Sequence, residues 1–70
     1  MNIYAQNEGN QTYLIYELDG QVIEKAKLIT FYRYEAVALR HTKGTDLIMR
    51  EHPAAPGLYG IWESVLVAQT

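Results

Sequence analysis

His41 and His52 stand eleven residues apart, and they are the first place to look for chemistry in this chain. Neither has a second histidine one helical turn away, and there is no cysteine, so the donor set of a zinc site is missing. Pairing His41 with Glu35, or His52 with Glu51, would supply an acid and a base, but nothing in the spacing singles either pair out. Ser64 is the only serine and falls inside an apolar run that reads as a strand. A nucleophile needs an exposed turn and a base within hydrogen-bond reach, which that setting does not offer. Gly57-Leu58-Tyr59-Gly60 has the glycines of a phosphate loop without the following Lys-Ser/Thr or a helix to present its N-terminus. Glu17 and Glu24 are expected to face each other across a hairpin as a solvated pair. No residue is therefore assigned to catalysis, to a cofactor or to a metal, and the chain is expected not to be an enzyme.

Six tyrosines, one tryptophan and one phenylalanine make up the remaining distinctive chemistry. Tyrosine and tryptophan combine a large apolar body with a polar tip, so they serve a core edge or a binding face. Tyr13, Tyr16, Tyr32 and Tyr34, with Arg33, Arg40, Lys25 and Lys27, have the composition of a surface that stacks single-stranded bases. Glu17, Glu24 and Glu35 interrupt that basic set, and no RNP-like or Gly-x-x-Gly pattern accompanies it.

The elements that must position these side chains are punctuated by turns. Asp19-Gly20 is a two-residue hairpin signal, because a type I′ turn needs positive φ at both central positions. Before it, Thr12–Leu18 alternates, with Leu14, Tyr16 and Leu18 on one face and Tyr13, Ile15 and Glu17 on the other. After it, Gln21–Ile29 alternates imperfectly, and a bulge near Glu24-Lys25 would restore the pattern. Asn2–Gln6 reads as a short strand joined through the Asn7–Asn10 turn. Phe31–Lys43 reads as a helix capped by Thr30 and closed by Gly44, with Arg40, His41 and Lys43 in the last turn. Its competing reading pairs a strand Tyr34–His41 with Asp46–Glu51 around a Thr42–Thr45 turn, because Phe31-Tyr32-Arg33-Tyr34 is strand-like and the apolar face is poorly separated. Asp46–Glu51 is a short strand, and Pro53 and Pro56 mark a loop. Leu58–Gln69 is a long last strand, with Leu58, Trp62 and Leu66 on one face and Tyr59, Ile61, Val65 and Val67 on the other.

These elements give an α+β domain of order β-β-β-α-β-β, a small antiparallel sheet with one helix on one face; a small all-β barrel is the alternative. Residues 1–70 read as one complete small domain. At this length a core is thin and a partner subunit is a common supplement. A formal charge of −2 is the wrong sign for gripping nucleic acid non-specifically. No apolar run approaches a membrane span, and Met1–Tyr4 has no leader character. Absence of cysteine fits a reducing, cytoplasmic setting.

If one helix covers one side of the sheet, the other side is left with an apolar patch, which marks a partner or a homodimer. Tyr13, Ile15, Ile23, Tyr32, Arg33 and Tyr59 are the candidate contact residues. The competing arrangement folds the N-terminal strand and the Pro53–Gly57 loop over that side. The expected function is non-enzymatic: a small interaction module that binds a larger protein or itself. Inhibitors and adaptors of prokaryotic or phage origin, including those aimed at host defence complexes, share this size and composition. Single-stranded nucleic-acid binding through tyrosine stacking and Lys/Arg contacts is the alternative.

Overall fold

Asp19 and Gly20 take φ of 52° and 79°, so the turn residues adopt the conformation that their types favour. The hairpin they close sits in a computed structural model that describes residues 1–67. Its elements are β1 (Asn2–Glu8), β2 (Gln11–Leu18), β3 (Gln21–Tyr32), α1 (Glu35–Thr42), β4 (Ile48–Glu51) and β5 (Tyr59–Val67). All pairings are antiparallel, in the order β1-β2-β3-β5-β4, and the sheet is open. The class is α+β, in the element order that the turn signals gave. Among the described residues no helix is long and apolar enough to cross a membrane. The expected continuation of the last strand to Gln69 lies outside the described residues.

Three bulges set which side chain faces which way. Tyr16 pairs with Glu24 and Glu17 with Val22, so Ile23 is the extra residue, just before the expected position. Ile29 is extra where Leu28 pairs with Trp62 and Thr30 with Ile61, and Val65 is extra between Ser64 and Leu66. Each bulge transposes the residues beyond it to the opposite face. Leu66 therefore shares a face with Ile61, and Val67 with Trp62, the reverse of simple alternation.

The helix is shorter than its pattern suggested. Phe31 and Tyr32 complete β3 against Gly60 and Tyr59, and Thr30 pairs with Ile61 instead of capping. Tyr34 is the N-cap, with extended backbone and no side-chain cap. Strand propensity and a ready partner in β5 outweigh the helical spacing of this aromatic run. Gly44, at φ 76°, follows the last turn as expected of a left-handed C′ residue. Tyr32 stacks on His41 with ring centroids 4.5 Å apart, which places α1 on the Ile61 face, where Ala38 is buried.

The opposite face is covered by the sheet itself. Five flat strands would hold β1 about 19 Å from β4, yet Ile3 of β1 lines one cleft with Arg50, His52, Pro53 and Pro56. Leu14, Ala26 and Trp62 form the core inside the curl, with Ile3, Tyr16 and Leu28 around them. The expectation of a bare second face is thus corrected: the curl brings the first strand and the proline loop over it.

Candidate functional site

Trp62 anchors the concave side. It is fully buried, and its Nε1–H donates to the Arg50 carbonyl at 3.2 Å. Its indole lies across Gly60, where a β-carbon would fall 2.7 Å from Nε1. His52 tilts over the same ring at 6.0 Å. The loop beyond β4 is held by one main-chain and one side-chain acceptor, with His52 N–H donating to the Leu58 carbonyl and Gly57 N–H to the Glu51 carboxylate, at 2.7 and 2.8 Å. The Arg50 guanidinium stands over the Tyr16 ring, 5.8 Å from its centroid.

The six candidate contact residues do not form one surface. Tyr13 and Ile15 lie on the convex face, but the strands' own side chains close over them. Ile15 is 2% exposed, flanked by its register partners Tyr4 and Lys25. The Tyr4 hydroxyl donates to Glu17 at 3.1 Å, while the Lys25 ammonium sits 4.3 Å from the Tyr13 ring centroid and 2.5 Å from Glu8. Partial burial, and then the hydrogen bond and charge of Glu17, push the Tyr4 phenol above its ordinary value of 10.0. Ile15 is accordingly withdrawn as a contact residue, and Tyr13 is a half-buried packing residue. Tyr32 and Tyr59 pair at the opposite end, where Tyr32 is occupied by His41 and Arg33 is exposed. Ile23, the bulge residue, lies beside Glu24 and its partner Val67.

That last position adjoins the least protected part of the sheet. β4 pairs with Tyr59–Trp62 only, so among the described residues Glu63–Val67 has β3 on one side and no strand on the other. Burial within β5 follows the same division: residues 60–62 are buried and residues 63–67 are exposed. Val65, Leu66 and Val67 are 48%, 53% and 59% exposed. Val22, also exposed, lies beyond the bulge on the neighbouring strand. The two other sheet edges are blunted in familiar ways. β1 carries Asn2, Gln6, Asn7 and Glu8, and β4 is short and runs into Pro53. The overhang of β5 has Glu63 and Ser64 and then three apolar residues. Val65, Leu66 and Val67 were not among the six candidate residues, because the openness of this edge depends on the length of β4.

No cluster of histidine, aspartate and glutamate among the described residues could hold a metal. Neither family models, curated proteins nor solved structures give a match to this chain.

Proposed function

We propose that this protein is a non-enzymatic interaction module that receives a strand of a partner protein along the open edge of β5. The carrying observation is the coincidence, over Glu63–Val67, of unpaired main-chain groups with exposed apolar side chains on both faces. Strand addition draws affinity from main-chain hydrogen bonds and selectivity from alternate side chains. Val67 and Leu66 would supply one contact on each face, with Ile23 beside them. The partner is a larger protein or a second copy. An inhibitor or adaptor of prokaryotic or phage origin agrees with the chain's size, and absence of cysteine supports a cytoplasmic setting. The rings expected to stack nucleic acid are mostly engaged within the fold: Tyr13 under Lys25, Tyr16 under Arg50 and Tyr32 on His41. The protein-binding reading is preferred for that reason.

A photocrosslinking residue at Val65, compared with one at Gln6 on the β1 edge, tests this in the native host. Adducts are expected from position 65 and not from position 6, and Leu66→Lys should abolish them without lowering the melting temperature. Sedimentation across a concentration range distinguishes a second copy from another partner. A monomer that gives no adduct at position 65, or gives equal adducts at both positions, would refute the proposal.

A further inference from the structure

A second site lies where the two edges of the curled sheet approach each other. The cleft there, about 390 Å³ in volume, is bounded by Ile3 of β1, Arg50 and Glu51 of β4, and His52, Pro53 and Pro56 of the following loop. That volume lies in the lower range of small-molecule sites. Ile3 and the two prolines give it apolar walls. Three charged or titratable side chains line it, and their engagements differ. Glu51 is turned back into the loop, where its carboxylate accepts from Gly57 N–H. His52 Nδ1 accepts from Ala54 N–H at 3.1 Å, so the neutral ring carries its proton on Nε2, as a donor. Arg50 is exposed, with its guanidinium 5.8 Å from the Tyr16 ring centroid, and it makes no ion pair among the described residues; Glu24, which shares Tyr16's row, does not reach it. Its planar fork of donors is thus unspent.

The geometry points to this cleft as a binding site for a small organic carboxylate with a flat apolar body. The carboxylate would take the Arg50 fork, assisted by His52, and the body would rest between Ile3 and Pro53 and Pro56. The site is separate from the β5 edge, so the two can fail independently. Phenylacetate is a suitable probe, with phenylacetamide as its uncharged counterpart. Titrations of labelled protein should shift the amide resonances of Arg50–Ala54 and perturb the emission of Trp62, with a dissociation constant of about 1 mM or tighter. Arg50→Gln should weaken binding by at least about tenfold, with an unchanged Trp62 emission maximum in the free protein as proof of folding. A tripeptide with a free C-terminal carboxylate distinguishes a chain end from a small acid. Silence toward phenylacetate at about 10 mM, equal binding of phenylacetamide, unaltered affinity in Arg50→Gln, or a response to the tripeptide alone would each overturn the assignment.

Discussion

Gly60 is the residue whose chemistry is easiest to overlook, because it has no side chain to describe. Its neighbour two positions on folds an indole over it, and the hydrogen bond from Trp62 to the Arg50 carbonyl depends on that close approach. Gly60→Ala would put a methyl group 2.7–2.8 Å from the indole, with Leu28 Cδ1 3.0 Å away on another side. The indole is fully buried and has no room to move, so overpacking should cost roughly 1–3 kcal/mol. In a domain of this size each lost kcal/mol lowers the melting temperature by about 4–8 °C. Calorimetry and a red-shifted Trp62 emission would register the change, whereas an unchanged melting curve would mean that the ring is not seated on Gly60. The place of Trp62 within the last strand was legible in the sequence from alternation. The need for glycine beside it was not, because the clash is created by a rotamer and not by a motif.

Among the elements, the Asp19-Gly20 hairpin was legible because its turn chemistry is local: two residues determine the backbone and hence the pairing. The bulges at Ile23, Ile29 and Val65 were only partly so. A bulge belongs to a pair of strands, and one strand's alternation shows that something slips without showing where. The start of α1 was misplaced at Thr30 for a related reason, since β5 recruits Phe31 and Tyr32 into the sheet. The β1–β2 pair carries a prediction of its own. Tyr4 titrates above its ordinary value, so the folded state holds this proton more tightly than the unfolded chain does. Its contribution to stability is complete below pH 10.0 and is lost as pH rises through the raised folded value. Denaturant midpoints of the native protein should therefore fall on the alkaline side of the tyrosine range, and Tyr4→Phe should make that fall shallower. Parallel alkaline limbs in the two proteins would show that the hydroxyl is not held by Glu17.

At the scale of the whole molecule, curvature decides which surfaces are free. A flat sheet under one helix would have exposed Tyr13 and its neighbours or the Trp62 face; the curl closes one, and long side chains seal the other. The open apolar edge of β5 is set by a mismatch in strand length, four residues in β4 against nine in β5. No local pattern announces such a mismatch, and this is why the candidate residues were scattered while the kind of site, an apolar strand surface, was anticipated. The mismatch also grades stability along one strand. Amides of Ile61 and Trp62 lie between two neighbours over the buried core, whereas the outward groups of Glu63–Val67 meet no strand. Hydrogen exchange should accordingly be slowest in β2, the middle of β3 and the first half of β5. The β4-side amides of the overhang should exchange orders of magnitude faster, through local opening instead of global unfolding. A strand added to that edge would supply the missing acceptors, so protection there should rise with partner concentration while the core amides change little. Uniform protection along β5 at every concentration would show that the overhang is already covered within one chain and would remove it as a docking edge.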